Sequence, residues 1–320
     1  MRLMLVATDD NRLIRTLHAY ARRMRADDVE VVADPERADA IVFAETVERS
    51  DPHFHRVHRH PLLREHADKV VLFNEADKSR ARLPALAVNA LDVPWQIPIG
   101  SLPIHEDQEP LERCRVAPTE LMSFTGSRSS PVREAILDRY AGTHPAVIDT
   151  DAFNAWTATP AERARRRRQF EHSLAAGLFA LCPRGVGTTS LRLYEAMQAG
   201  RCPVILADRW REDIGIDWSF AVRVAERDHD RLEEILGAVP RAEALERGAE
   251  GRRQWEATYA PERYVRTLAH AARTLIERRV TVPPRTPAEA LEDGFYTVWL
   301  QVRSLKTRLD RLPRTRPAET

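Results

Sequence analysis

This chain of 320 residues has few cysteines and almost no net charge. The three cysteines, Cys114, Cys182 and Cys202, are an odd number at wide spacing, so they indicate neither a disulfide framework nor a zinc site. Lysine and arginine total 49 against 48 acidic residues, a formal net charge of +1, which argues against a general nucleic-acid-binding surface. Any recognition of an anion must therefore depend on a local patch of charge.

Long apolar segments are also missing. No stretch approaches the roughly eighteen consecutive apolar residues of a membrane-spanning helix, and the mean hydropathy is -0.45. The N-terminus, MRLMLVATDD, places acidic residues directly after a short apolar run, so it lacks the apolar core and cleavage site of a secretory signal. We therefore expect a cytoplasmic protein whose first element is a β-strand.

The sequence does contain short apolar runs that alternate with helix-like segments, a pattern typical of βαβ units. One early helix is clear, because Leu13, Leu17, Tyr20 and Met24 recur at helical spacing. We predict an N-terminal Rossmann-like domain over 1–95. Its predicted strands are the apolar runs 2–7, 29–32, 40–44, 69–73 and 86–89.

Five prolines between positions 94 and 118 interrupt regular structure, so we predict an interdomain linker over 96–118. A second Rossmann-like domain is predicted over 119–280, with a helix that begins near Pro131. Its predicted strands are the runs 121–125, 146–149, 178–182, 203–207 and 220–224.

The remaining segment, 281–320, carries an amphipathic pattern between 286 and 312. We predict a C-terminal helical extension that packs on the body of the protein or forms a homodimer. Peripheral contact with the inner face of a membrane is the alternative. The apolar face comprises Leu291, Phe295, Val298, Val302, Leu305 and Leu309.

The most informative stretch is LFALCPRGVGTTSLRLYEAMQAGRCPVILAD, residues 178–208, where an apolar strand leads through a loop into a helix. Free backbone N–H groups at such a helix start attract phosphate. Glu195, one turn into the helix, is suited to accept hydrogen bonds from a ribose diol, and a surface pair with Arg192 is the alternative. The predicted phosphate-binding loop contains Arg184, Gly185, Gly187, Thr188, Thr189, Ser190 and Arg192.

A second loop, in FTGSRSSPVREAIL, follows the same logic. The strand ends at Gly126, the helix begins near Pro131, and Arg128 lies between them. An arginine there would reach a phosphate in the same cleft; an ordinary solvated loop arginine is the alternative.

Segments 121–139 and 170–236 resemble the C-terminal domain of the exostosin-family glycosyltransferases, family 47. The resemblance rests on FTGSRSSPVREAI, on HSLAAGLFALCPRGVGTTSLRLYEAMQAGRCPVILAD and on IDWSFAVRVAERDHDRLEEIL. It implies an α/β fold of the GT-B type, in which two Rossmann-like domains face a central cleft. It also implies inverting, metal-independent transfer of a sugar from a nucleotide-diphosphate donor, with a UDP-sugar favoured, to a hydroxyl of a glycan or small molecule.

Carried onto this sequence, the resemblance implies that Arg128, Arg184, Ser190 and Arg192 contact the donor diphosphate and that Glu195 contacts the ribose or another part of the donor. It implies no metal and no cofactor besides the donor substrate. It makes 1–95 the acceptor domain. The N-terminal half matches the family only loosely, so the resemblance does not identify the acceptor itself.

An inverting transfer needs a base for the proton of the acceptor hydroxyl. Glu75 and Asp77 follow one predicted strand of the first domain, and Glu45 ends another. Because parallel sheets place their sites at the carboxyl ends of strands, these three are the candidates for the catalytic base. For each, a solvated or salt-bridged loop carboxylate is the alternative.

A histidine-rich run, DPHFHRVHRHP, lies between two of these strands. His53 and His55 are candidates for contacts with the acceptor, and the run would also suit a base. Metal binding is a weaker interpretation, because no cysteine lies nearby and histidine-rich loops are often solvated.

Other interpretations of the same motifs remain open. The spacing Gly185-x-Gly187-x-x-Ser190, with Asp208 about twenty residues further on, resembles a dinucleotide fingerprint and would indicate an NAD-dependent oxidoreductase. We include Asp208 among the donor-binding candidates. A catalytically inactive nucleotide-sugar-binding protein is a further alternative.

A short acidic match also needs an interpretation. Asp149-Thr150-Asp151 resembles the Asp-x-Asp of metal-dependent glycosyltransferases. Three residues are a weak signal, and Asp151 would also suit the cap of a following helix.

Overall fold

The chain folds into two parallel sheets, one from each half, with helices packed against them. This confirms the predicted α/β class, with one parallel sheet in each half of the chain. The computed structural model describes residues 1–46, 54–75, 83–88, 110–151, 158–213 and 215–278, and the backbone of 99–101.

The first sheet contains strands from the N-terminal third of the chain. They are β1 (Arg2–Val6), β2 (Glu30–Val31), β3 (Ala40–Glu45), β4 (Val70–Asn74), β5 (Ala85–Ala87) and β6 (Ile99–Ser101). Their order is β2-β1-β3-β4-β5-β6, and each neighbouring pair is parallel. The apolar runs predicted as strands are therefore confirmed. β6 lies within the segment predicted as the linker, so this sheet continues past residue 95.

The second sheet has the same parallel character. Its strands are β7 (Glu120–Gly126), β8 (Val147–Asp149), β9 (Gly177–Pro183), β10 (Cys202–Leu206) and β11 (Val222–Arg223), in the order β11-β10-β9-β7-β8. Every residue of the central β9 is buried, as expected for a parallel strand that is covered on both faces. The five predicted strands of this half are confirmed.

Helices cover the first sheet on both faces. Those from the first half of the chain are α1 (Arg12–Arg23), α2 (His55–Arg59) and α3 (Pro61–Glu65). Asn11 caps α1, because its side chain accepts a hydrogen bond from the Ile14 backbone N–H at 3.0 Å. Leu13 and Leu17 are fully buried, which confirms the predicted apolar stripe.

Further helices follow in the second half. They are α4 (Pro131–Tyr140), α5 (Pro160–Ala176), α6 (Leu191–Ala199), α7 (Leu232–Gly237), α8 (Arg241–Thr258) and α9 (Pro261–Glu277). α4 begins at Pro131 as predicted, and its apolar residues Val132, Ile136 and Tyr140 are buried. α8 was not anticipated from the sequence pattern.

Helix α9 joins the two halves of the molecule. It contacts α1 and strands β3, β4 and β5 of the first sheet, while α8, just before it in the chain, packs on α6 and β10 of the second. Tyr264 of α9 is buried, with ring centroids 5.6 Å from Tyr20 and 6.4 Å from Phe73. One continuous apolar cluster therefore contains residues of both domains.

The amphipathic pattern at 286–312 lies outside the described residues, as do Asp77 and His53. Within the described parts of the chain, no helix is both long and apolar enough to cross a membrane.

Candidate functional site

The carboxyl ends of the second sheet gather charged residues from five separate strands. Because the strands are parallel, their carboxyl ends lie at one edge of the sheet. The residues at or just beyond these ends are Arg128, Asp149, Arg184, Asp208 and Glu226. Four of these five positions were recognised in the sequence as site or motif residues; Glu226 was not.

The predicted phosphate-binding loop runs from the end of β9 to the start of α6. Thr188, Thr189 and Ser190 are buried, and Ser190 occupies the N-cap position in an extended backbone conformation. Its side chain makes no capping hydrogen bond. The first turn of α6 therefore has backbone N–H groups that a Ser190 cap does not satisfy, which is the feature that attracts an anion.

Arg184 extends from this loop toward the last two strands of the sheet. Its Nε atom donates to both carboxylate oxygens of Glu226, at 2.9 and 3.1 Å. Glu226 in turn accepts from the Asp208 backbone N–H at 3.1 Å, and Asp208 accepts from the Glu226 backbone N–H at 3.0 Å. The predicted candidates Arg184 and Asp208 therefore belong to one network, with Glu226 as the connecting residue.

Arg192 and Glu195 form the pair that the sequence left as an alternative. The Arg192 guanidinium donates to the Glu195 carboxylate, and its Nε donates to the Thr125 carbonyl at 2.8 Å. The same guanidinium lies 4.4 Å from the ring centroid of Phe170. The Glu195 side chain is only 11% exposed, so this pair is no solvated surface pair but a fixed part of the site.

Arg128 is held by the neighbouring edge strand. Its Nε donates to Asp149 at 2.7 Å and its Nη1 to Asp138 at 2.5 Å. These bonds, first that to Asp138, raise the pKa of Arg128. Asp151 accepts from the Arg128 backbone N–H at 3.3 Å, so both acidic residues of the Asp-x-Asp match support the arginine loop. The first helix described after them, α5, is capped by Thr159.

One cation of this site, Arg133, was missed from the sequence. It lies in the first turn of α4, and its Nε donates to the carbonyls of Pro183 and Arg184 at 3.2 and 3.0 Å. Its Nη2 lies 3.4 Å from the Ser190 hydroxyl. Burial, followed by repulsion from Arg192, lowers the pKa of Arg133 to about 10. The signal was present in the quoted motif, where Arg133 directly follows Pro131 and Val132.

The candidate bases of the first domain lie at adjacent strand ends. Glu45 ends β3 and is nearly buried; its carboxylate accepts from the Thr8 backbone N–H at 2.6 Å and from the Thr8 hydroxyl at 3.0 Å. Glu75 follows β4 and pairs with Arg12 at 3.1 Å. Asp77 lies outside the described residues. The structure thus ties Glu45 to the loop after β1 and leaves Glu75 in a half-exposed ion pair.

His55 begins α2, close to the same sheet edge. The next residue, Arg56, forms an ion pair with Asp9, which belongs to the loop between β1 and α1. His60 packs edge-on against Phe43 with ring centroids 5.1 Å apart, and its Nδ1 accepts from the Leu62 backbone N–H. His60 therefore serves the local fold, and His55 remains the acceptor candidate that the structure describes.

Comparison with known proteins supports the exostosin resemblance. Residues 96–239 match the family model described as the exostosin GT47 domain. The chain is also 28% identical over 177 residues to a Caenorhabditis elegans protein named "Exostosin-1 homolog". That match covers 49% of this chain and 45% of the relative, so this chain spans less than half of the curated relative that it matches.

Two solved structures are distant likenesses. One is TarM, at 12% identity and a TM-score of 0.36 over 82% of this chain and 59% of that one. The other is a T4 phage BGT mutant in complex with UDP-glucose, at 12% identity and a TM-score of 0.38, over 88% of this chain and 99% of that one.

The match to the family model contains Arg128 just beyond the end of β7, and it contains Arg133, Arg184, Arg192 and Glu195, which the structure brings together around one loop. Over its segment 96–239, this chain is therefore similar to the exostosin GT47 domain.

Proposed function

We propose that this protein transfers a sugar from a nucleoside diphosphate sugar, with a uridine diphosphate sugar favoured, to a hydroxyl group of a glycan or small molecule. The observation that carries the proposal is the loop between β9 and α6, where arginines from several elements surround the start of a helix within an exostosin GT47 domain. Helix starts and arginines are the groups that proteins use for diphosphates.

Arg184 and Arg192 would bind the diphosphate from the loop, and Arg128 from the adjacent strand end. Each is paired with a carboxylate, namely Glu226, Glu195 or Asp149. These pairs fix the guanidinium groups before the donor binds, and a diphosphate can share the donors that remain. Because Glu195 is almost buried, we infer that it acts on the donor through Arg192. Asp208 and Glu226 lie at the edge of the sheet, where the ribose would bind.

The chemistry would be a single displacement. The acceptor oxygen attacks the anomeric carbon of the donor sugar. The bond between that carbon and the β-phosphate oxygen breaks, and the proton of the acceptor hydroxyl moves to a carboxylate. Negative charge develops on the departing diphosphate, and the fixed arginines would stabilise it. These cations supply the compensating charge without a divalent ion, so we propose that no metal or other cofactor is required.

Glu75 is the better candidate for the base among those described. Both carboxylate oxygens of Glu45 already accept hydrogen bonds from Thr8, so Glu45 holds the loop after β1. Glu75 has one exposed partner, Arg12, and exposed ion pairs are weak. Asp77, two residues further on, stays a candidate base, and His53 and His55 stay candidates for contacts with the acceptor.

A thermal-stabilisation assay tests the donor class. The wild type would be melted with UDP, GDP, CMP and NAD, each with and without manganese, beside Arg184→Ala and Glu195→Ala. We expect stabilisation by UDP or GDP that needs no manganese and is lost in both variants. Arg139→Ala, an exposed arginine on α4, is the matched control and should bind like the wild type. Stabilisation by NAD alone would instead identify the oxidoreductase.

A second measurement separates an enzyme from an inactive binding protein. Many glycosyltransferases release nucleotide slowly by transferring the sugar to water, so incubation with the donor that binds should release its nucleoside diphosphate without an acceptor. Tight binding with no release above the uncatalysed rate would favour the binding protein.

A further inference from the structure

Arg133 differs from the other arginines of the site in the charge of its partners. Arg128, Arg184 and Arg192 each bond to a carboxylate. The hydrogen-bond partners of Arg133 are neutral oxygens, namely two backbone carbonyls and the Ser190 hydroxyl. Glu195 is near enough to Arg133 to favour the charged form of Arg133 slightly, but the carboxylate of Glu195 bonds to Arg192.

This lack of a bonded counter-ion has an energetic consequence. A charged group that is taken out of water costs free energy unless an opposite charge compensates it. Burial and the like charge of Arg192 both disfavour the charged form of Arg133, yet its pKa of about 10 keeps it protonated at neutral pH. Arg133 therefore holds a positive charge that no bonded carboxylate balances, and an anion bound beside the loop would offset that cost.

Gly185 brings its backbone close to this guanidinium. Gly185 has no side chain, and a Cβ placed there would lie 3.5 Å from Arg133 Nη2 and 3.7 Å from the Ser129 hydroxyl. Both distances are ordinary contacts, so the protein itself does not require glycine at this position. Two potential donors therefore border the open side of the loop at Gly185.

From this arrangement we infer that Arg133, with Ser129 and the backbone at Gly185, binds the diphosphate of the nucleotide donor and supplies the uncompensated charge that attracts it. The inference rests on the proposed function. Arg133, which lies on α4 and outside the loop sequence, contributes to diphosphate affinity as much as the loop arginines do.

Calorimetric titration with UDP, uridine and inorganic pyrophosphate tests the assignment. We expect Arg133→Gln to weaken the binding of UDP and of pyrophosphate by roughly tenfold to a hundredfold, the range for a charge-assisted hydrogen bond. The affinity for uridine should stay unchanged. Arg133→Lys should recover part of the loss, and the slope of log Kd against log salt should fall in Arg133→Gln. Arg139→Gln, an exposed arginine on the same helix, should bind like the wild type.

Gly185→Ala is the second variant, because the added methyl group meets no atom closer than 3.5 Å and should leave the melting temperature unchanged. This variant should bind UDP and pyrophosphate more weakly than the wild type does, and it should bind uridine with unchanged affinity. Wild-type affinity for UDP and pyrophosphate in both Arg133→Gln and Gly185→Ala would overturn the assignment, as would an equal loss of all three ligands. If the wild type binds none of the four nucleotides of the stability assay, the proposed function fails and this inference fails with it.

Discussion

Gly248 of α8 lies directly against the carbonyl oxygen of Gly200, the C-cap residue of α6. A Cβ on Gly248 would come within 2.5 Å of that oxygen and 3.0 Å of the backbone of Arg201 and Cys202. Gly200 itself adopts a φ of 70°, the left-handed conformation that commonly ends a helix. The absence of a side chain at Gly248 therefore allows α8 to approach the helix that follows the candidate donor loop.

Gly248→Ala should destabilise the protein, because the atoms in the way are backbone and cannot rotate aside. Overpacking of this kind costs about 1–3 kcal/mol, measured as the loss in free energy of unfolding in urea. Gly237→Ala is the matched control, since a Cβ there meets nothing within 4 Å. It should be neutral or stabilising by up to about 1 kcal/mol, because alanine favours helix. Equal stability of the two variants would contradict the packing explanation.

The same glycines explain why α8 was missed while the strands were predicted. Apolar runs identify buried strands directly, and the run at 178–182 became β9 (Gly177–Pro183). α8 has Gly248 and Gly251 on its buried face, where the sequence pattern expects large apolar residues. Glycine lowers helix propensity, so the local pattern argued against the element that the close packing requires.

The candidate site was predictable where its residues are close in sequence. Arg184 and Arg192 belong to one motif, so the loop between them was recognised. Glu226 and Arg133 reach the loop only because parallel strands bring their ends together, at separations of 42 and 51 residues from Arg184. No local pattern specifies which distant carboxylate or arginine will be the partner.

Asp28 connects the first domain to α9 and should make stability depend on pH. Hydrogen bonds from Arg266 and His270 lower the pKa of Asp28 well below its usual range. The ionised form is therefore favoured by folding, and the stabilisation present above about pH 4 is lost as the pH falls toward the folded pKa. Because the side chains are about half exposed, we expect Asp28→Asn to cost less than about 1 kcal/mol at pH 7.

The check is urea unfolding of the wild type and Asp28→Asn between pH 7 and pH 2. The difference in unfolding free energy should shrink toward zero at the acid end. Asp27→Asn, the adjacent exposed carboxylate, should show no such difference at any pH. A pH-independent cost of Asp28→Asn would mean that packing, and not charge, accounts for it.

Substitutions of Glu75 and Glu45 should affect different properties of the protein, namely catalysis for Glu75 and stability for Glu45. If Glu75 is the base, Glu75→Gln should lower kcat by about 10²- to 10⁴-fold and leave the melting temperature near that of the wild type. Glu45→Ala removes two hydrogen bonds to Thr8, so it should cost about 1–3 kcal/mol of stability. Steady-state kinetics and urea unfolding of both variants give the comparison. A normal kcat in Glu75→Gln would direct attention to Asp77.

The role of Asp149 distinguishes two explanations of the Asp-x-Asp match. In the structure Asp149 bonds to the guanidinium of Arg128, so its carboxylate orients a cation. We therefore expect Asp149→Asn to weaken donor binding by about tenfold or less, since the Arg128 bond to Asp138 remains. Treatment with a chelator should leave the transfer rate of the wild type unchanged, and added manganese should not restore Asp149→Asn. The opposite result would be a loss of activity on chelation that manganese reverses only when Asp149 is intact. It would show that this carboxylate binds a metal ion, and that the arginines alone do not compensate the charge of the diphosphate.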